Sequence, residues 1–377
     1  MQHLGLNGDV NAGGHRFHVQ TAYSAGNERL VSLVFEQGRI LDRRELVCSG
    51  ETETGALSSK LRAFHLETMA EMELWFHISE KVRRAKHPPS CLRLGAVFLE
   101  KNLPEEAMAV LQLAVELSPE FPEAHQGLGR VFLRQRDFAR AEEMFRRGLQ
   151  LAPEYADLHH DLALVLLEQD RLLEALTCCE AALQINPKFS QAHVLLARAL
   201  VLSLQGPQPL QDHLPPPSAR LKRAQDLLQA LAQNHAAQKY QAQIKAVLAF
   251  LTDKDFADAA AALQNLHAEM LAEPAAVFES EFYLKFMFGG KSRDEEFIQK
   301  YAERLQAAIR DFPDYADWHN HLGLARLIQS RNQFLRAIEE FKLALKINPD
   351  YKRAEKNLKL AENDSKGFVY LLRAMLR

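Results

Sequence analysis

The chain has 377 residues, and its 46 Lys and Arg against 49 Asp and Glu give a formal net charge of −3. This balance lacks the basic excess typical of nucleic-acid-binding proteins, so we expect no nucleic-acid partner. Apolar residues make up 47% and charged residues 25% of the chain, which is the composition of a globular protein.

The first predicted elements are short strands. Within residues 15–49, the segments HRFHVQT, RLVSLVFE and RILDRRELVC are rich in β-branched and aromatic residues and are joined by turn residues. They predict a small antiparallel meander of two or three strands. A long helix should follow over 58–86, because apolar residues recur along one face from Leu61 to Val82. So small a sheet is marginal alone, and we expect this helix to cover one of its faces and to contact the next segment.

From residue 88 onward the sequence repeats with a period of 34 residues, marked by Pro119, Pro153 and Pro187. Each proline is preceded by the same pattern, which in the second copy reads His125-x2-Leu128-Gly129-x2-Phe132, then Ala141-x3-Phe145. The spacing predicts two amphipathic helices per copy, and the small residues let their axes approach closely. One such hairpin cannot bury its own apolar face, so neighbouring hairpins must stack.

This pattern resembles the tetratricopeptide repeat, and the resemblance covers about residues 88–364. It implies a mostly α fold, an α-solenoid or superhelix of helical hairpins, preceded by the small N-terminal β-meander and the long helix. It also implies a concave groove lined by the first helix of each hairpin. Residues 1–86 lie outside the repeat pattern, and the meander is similar to leader modules that precede such arrays in bacterial proteins.

The sequence predicts the following segments in order: the meander and long helix at 1–86, three repeats and the start of a fourth at 88–205, a Pro-rich loop at 206–218, degenerate repeat-like hairpins at 219–312, a last repeat at 313–349, and a capping helix with an amphipathic C-terminal segment at 350–377. The Pro-rich loop is either an excursion from the stack or a segment that reaches over the groove.

No catalytic or phosphate-binding motif occurs in the sequence, so we expect neither an enzyme nor a cofactor. The equivalent histidines of successive repeats, His125, His159 and His193, would sit on different helices about 10 Å apart, too far to bind one ion at about 2 Å. We therefore expect these histidines to pack between helices, and we expect no metal site. Cys179 takes a core position of the third repeat and should act as a small hydrophobic residue.

Four cysteines without a C-x-x-C pair do not form a disulfide scaffold in a chain of this length. Residues 1–17 have neither the basic nor the apolar region of a secretion signal. No uncharged apolar run approaches the ~18 residues that a membrane span requires. These three observations favour a cytoplasmic protein without a membrane span.

The resemblance places the functional surface in the groove and identifies its exposed positions. Leucine, valine and arginine side chains there are not needed for packing within a hairpin, and they would suit a partner protein or peptide with apolar and acidic residues. The candidate groove residues are Leu99, Gln126, Arg130, Arg134, His160, Leu164, Leu167, Val194 and Arg198. We expect a bacterial-type scaffold or adaptor.

The groove lacks the Lys, Asn and Arg pattern of the repeat domains that bind chaperone C-termini, so we expect no dicarboxylate tail as a partner. Two other functions stay open. The segment GFVYLLRAMLR at 367–377 predicts a tail-gated or homodimerising regulatory protein if it lies in the groove or at a dimer interface. An enzyme that uses the N-terminal module is a more remote alternative.

Overall fold

The computed structural model describes residues 5–48, 54–205, 214–271, 275–311, 316–347 and, beyond these, 352, 354–359, 361 and 362. The chain divides into two compact units, Met1–Leu284 and Lys285–Arg377. Most of the predicted Pro-rich loop at 206–218 and all of the amphipathic segment at 367–377 lie outside the described residues, so both remain predictions.

The first unit begins with a four-stranded antiparallel sheet in the order β1-β2-β3-β4. Its strands are β1 (Gly5–Ala12), β2 (His15–Ser24), β3 (Arg29–Glu36) and β4 (Arg39–Val47). The predicted meander is confirmed, but β1 was not predicted. Its Gly, Asn and Asp residues are depleted in strands, and it forms because Gly13 and Gly14, both at positive φ, turn it back along β2.

Helix α1 (Thr54–Ala85) covers one face of this sheet, as predicted. Trp75 is fully buried, as is Phe17 on β2. The sheet also contacts the first repeat through polar side chains. His15 lies between two carboxylates, with Nδ1 2.5 Å from Glu36 Oε1 and Nε2 3.2 Å from Glu106 Oε1. Burial lowers the pKa of His15, but these two hydrogen bonds outweigh it and hold the pKa above its usual value.

Three helical hairpins follow α1. They consist of α2 (Pro88–Glu100) with α3 (Pro104–Leu117), α4 (Pro122–Arg134) with α5 (Phe138–Leu151), and α6 (Ala156–Glu168) with α7 (Leu172–Ile185). The period-marking prolines each lie two residues beyond the second helix of a hairpin, as the sequence predicts. Within each hairpin the turn contains one residue at positive φ: Asn102, Arg136 or Asp170.

Small residues let the two helices of a hairpin approach closely. A Cβ at Gly129 on α4 would lie 2.4 Å from the ring of Phe145 on α5, a distance that real Cβ atoms do not show. A Cβ at Gly95 would lie 2.5 Å from Leu111 in the first hairpin. The predicted close approach of the two axes is therefore confirmed.

Two of the histidines that begin a repeat pattern form a hydrogen bond to the end of the preceding repeat. His125 and His159 each donate from Nε2 to a proline carbonyl oxygen six residues earlier, Pro119 and Pro153, over 2.9 Å in both cases. In the next copy, His193 Nδ1 lies 2.9 Å from the carbonyl oxygen of Phe189. The predicted packing role of these histidines is thus joined by a hydrogen-bonding role.

The fourth hairpin is formed by α8 (Ser190–Gln205) and α9 (Pro217–Gln233), on either side of the Pro-rich loop. Arg220 on α9 is only 1% exposed. Its Nη1 donates to the carbonyl oxygen and Oγ of Ser203 on α8 at 2.8 and 2.7 Å, and its Nε donates to the carbonyl oxygen of Pro215 at 2.8 Å. These bonds join the two helices across the interruption.

A fifth hairpin comprises α10 (Gln241–Thr252) and α11 (Phe256–Leu271), and α12 (Ala275–Met287) follows. One of the repeat-like hairpins predicted within 219–312 is therefore present, but its second helix packs along α8. In α12, the Tyr283 ring lies 4.1 Å from the guanidinium of Arg93 on α2. Helix α11 and the part of α12 around Tyr283 thus lead back from α8 towards the first repeat.

In the second unit, α13 (Glu295–Asp311) packs against α14 (Ala316–Ile347). The sequence predicts a hairpin turn in the last repeat, whereas α14 continues through that point. The segment IQSRNQF has neither Gly nor Pro, and no residue described within α14 has the positive φ of the earlier turns. No helix in the described part of the chain is long and apolar enough to cross a membrane.

Candidate binding groove

Three of the four predicted groove residues of α2 and α4 remain accessible, namely Leu99, Arg130 and Arg134. Leu99 is half-buried, and the side chains of Arg130 and Arg134 are each 50% exposed. Arg134 donates from Nη1 to the carbonyl oxygen of Leu99 and, at 3.3 Å, to Oδ1 of Asn102, so its guanidinium is held beside the leucine. We call the concave positions of α2 and α4, namely Leu92, Leu99, Arg130, Leu133 and Arg134, the open half of the groove.

Asp161 on α6 organises the centre of the groove, although it was not among the predicted residues. Its Oδ2 accepts from Gln126 Nε2 at 2.8 Å and from Arg130 Nε at 2.7 Å, and its Oδ1 accepts from His160 Nδ1 at 3.2 Å. Asp161 is only 4% exposed. Burial raises the pKa of this carboxyl, but Arg130 and His160 more than compensate and hold the pKa far below its usual value.

The predicted exposure is wrong for most groove residues of α6 and α8. Val194 is 0%, His160 2% and Leu167 7% exposed, and the Arg198 side chain is 11% exposed. Leu164 is half-buried. On α4, Gln126 is also buried, because it packs against Asp161. On α8 the reason is that α11 packs along this helix, and on α6 His160 is in contact with His267 of α11. We call the concave positions of α6 and α8, namely His160, Leu167, Val194, Arg198 and Val201, the covered half of the groove.

Two polar contacts tie α11 to the covered half. His267 Nε2 lies 2.8 Å from His160 Nε2, and Gln264 Oε1 accepts from Arg198 Nη2 at 3.2 Å. His267 is 3% exposed. Its pKa is lowered to about 3, mainly by burial and further by His160 and Arg198. The His267 ring is therefore neutral at physiological pH, and Arg130, Asp161, His160 and His267 form one continuous polar chain.

Sequence reasoning predicted two members of this polar chain, Arg130 and His160, and missed Asp161 and His267. Asp161 stands at the start of the apolar stretch LALVLL, where a carboxylate is out of place, and this was an available signal. His267 carries no such signal, because its contact with His160 spans 107 residues. Among the described residues, no group of three His, Cys, Asp or Glu is placed to hold a metal ion.

The family comparisons agree with the hairpins of the first three repeats, and they also match the region of α13 and the unbroken α14. One tetratricopeptide-repeat family model matches residues 127–189 and 302–352, and a second matches 88–121. The chain is a tetratricopeptide-repeat protein. The repeats support a role as a protein–protein interaction scaffold, which is typical of this family. No curated protein sequence is significantly similar to this chain.

Several solved structures share the helical repeat at low identity. PilF of Pseudomonas aeruginosa is 21% identical with a TM-score of 0.36, over 65% of this chain and 98% of that one. YrrB, described as having an unusual peptide-binding site, is 17% identical with a TM-score of 0.32, over 63% and 94%. The Thermobaculum terrenum O-GlcNAc transferase is 22% identical with a TM-score of 0.35, over 40% of this chain and 27% of that one. Similarities with such low identities and TM-scores do not indicate a function for this chain.

Proposed function

We propose that this tetratricopeptide-repeat protein is a scaffold that binds a helix or peptide of a partner protein in the open half of its groove. The observation that carries the proposal is that α11, a helix, lies against the covered half. The two halves use equivalent positions of successive repeats, so a surface that accommodates a helix on α6 and α8 continues onto α2 and α4.

The side chains of the open half favour a partner with apolar and acidic residues. Leu92, Leu99 and Leu133 are half-buried and leave apolar surface accessible. Arg130 uses its Nε to bind Asp161, and a guanidinium has five N–H donors, so further donors of this half-exposed side chain can reach a partner carboxylate. Arg134 lies on the same helix and adds a second cation.

Photo-crosslinking in the cell of origin would test the location of the site. A photo-crosslinking amino acid in place of Leu99 should capture a specific partner. The matched control is the same amino acid in place of Leu173, which is 37% exposed on α7, the second helix of its hairpin. If both positions capture the same proteins in the same amounts, the open half is not the binding site.

Charge reversal would then test the partner chemistry with the purified partner. Arg134→Glu should weaken binding at least tenfold, because it replaces an attractive contact with a repulsive one in a partly buried site. Arg147→Glu is the control, since Arg147 is exposed on α5, away from the groove-lining helices. Equal affinities for the two variants would contradict an acidic partner at this position.

A further inference from the structure

The interface between α11 and the covered half of the groove resembles that between a bound helix and its binding site. Helix α11 packs against both α8 and α10, and it touches the groove through His267 and Gln264. Its buried side chains are small or aliphatic apart from His267: Ala259, Ala260, Leu263, Leu266, His267 and Met270. Across from it, α8 contributes Val194 and Val201, both fully buried. Val201 occupies the position of the half-buried Leu99 and Leu133, and Val194 that of the half-buried Leu92.

The centre of this interface is polar, and this distinguishes it from the apolar packing inside each hairpin. His267 contacts His160, which is held in turn by Asp161 and lies against Phe189 with the ring centroids 5.1 Å apart. Buried polar contacts of this kind fix the register of two helices but contribute less net stability than apolar packing of the same volume. The polar contact therefore makes the docking of α11 specific without making it strong, so another helix can displace α11.

We propose that α11 is an intramolecular ligand of the groove, and that a partner helix of the same character binds the covered half by displacing it. The partner helix would present small and aliphatic side chains on one face and a hydrogen-bonding side chain at the place of His267. This inference rests on the proposed function, because it assumes that the concave surface binds helices. It adds that the free chain occupies half of that surface itself.

Acidification should favour release of α11. His267 is buried among His160 and Asp161 on α6 and Arg198 on α8, and its depressed pKa means that the bound helix resists protonation. A released α11 regains the ordinary histidine pKa of about 6.5. Below pH 6.5 the released form binds one more proton than the bound form, so the opening constant rises as the pH falls and approaches a tenfold increase per pH unit.

The test uses the full chain and a fluorescent peptide with the sequence of residues 254–271 as the probe. In the wild type, α11 competes at the millimolar effective concentration typical of a tethered segment, so the peptide should bind weakly. Leu263→Ala in the chain should tighten peptide binding at least tenfold, because Leu263 is fully buried on the α11 face and its truncation weakens the competitor.

Leu111→Ala is the matched control. Leu111 is equally buried, but it lies in the first hairpin, so its truncation destabilises the chain without loosening α11. Peptide affinity that is unchanged in Leu263→Ala, or tightened equally in Leu111→Ala, would overturn the proposal. Arg134→Glu changes the open half only and should leave the affinity for this peptide unchanged. Partner binding at the open half and displacement of α11 from the covered half are therefore tested separately.

Hydrogen exchange measured on the full chain without peptide provides a second readout. After correction for intrinsic rates, amides of 256–271 should exchange about fivefold faster at pH 5.5 than at pH 6.5, relative to those of α5 at 138–151. The His267→Gln variant keeps a hydrogen-bonding side chain and should abolish this pH dependence. A wild-type ratio that does not change with pH would overturn the role of His267.

Discussion

The carboxylate of Asp161 allows a quantitative test of the polar chain. Asp161→Asn keeps one carbonyl oxygen for Gln126 but replaces the charged acceptor that Arg130 and His160 use. A hydrogen bond to a charged group contributes about 1.5–3 kcal/mol. Two such bonds are weakened, and the half-exposed Arg130 can recover hydration, so we expect a loss of about 2–4 kcal/mol at pH 7.

Urea titration followed by circular dichroism would measure this loss. Asp157→Asn is the control, because Asp157 is exposed one turn earlier on α6, and it should change stability by less than about 0.5 kcal/mol. Because the pKa of Asp161 is depressed in the folded protein, its contribution to stability is complete above the unfolded-state pKa of about 3.9. The contribution is lost progressively as the pH falls from there towards the folded-state pKa. The difference between wild type and Asp161→Asn should therefore shrink from pH 5 to pH 3, and equal stabilities of the two variants at pH 7 would refute the reasoning.

Three further variants test the packing of the first unit. Gly129→Ala should destabilise the protein by about 1–3 kcal/mol through overpacking against Phe145. The same change should be neutral in a Phe145→Cys background, because the third repeat has alanine and cysteine at these two positions. Additive effects of the two substitutions in thermal unfolding would contradict this. His15→Gln should cost about 1–2 kcal/mol of stability at pH 6 and less at pH 9. The raised pKa of His15 contributes stability below the pKa of the unfolded state, and this contribution is lost at higher pH. A cost that stays constant with pH in urea titrations would contradict a charged contact between His15 and the two glutamates. Arg220→Leu should cost about 2–3 kcal/mol, because two buried acceptors of Ser203 and the partly buried carbonyl oxygen of Pro215 lose their donor. Hydrogen exchange should rise in α8 and α9, and unchanged exchange there would show that the loop-spanning bonds do not matter.

Local patterns predicted the elements whose causes are local. The 34-residue period placed the hairpins of the first three repeats, because each hairpin is specified by its own apolar stripe and its own small residues. The same reasoning missed β1, where the sequence of the strand argues against its conformation and only pairing with β2 forms it. It also predicted a turn within α14, where the apolar pattern fits a hairpin but the backbone continues as one helix.

The groove divides in the same way. The sequence alone determined which side chains occupy the concave positions of α2, α4, α6 and α8, since those positions follow from repeat phase. Whether a concave position is accessible was decided by tertiary structure, because α11 lies some 60 to 100 residues further along the chain and packs on α8 through contacts that no local period encodes. Val201 and Leu99 thus hold the same position in their repeats, yet Val201 is fully buried and Leu99 is only half-buried, and the covering helix is the physical reason.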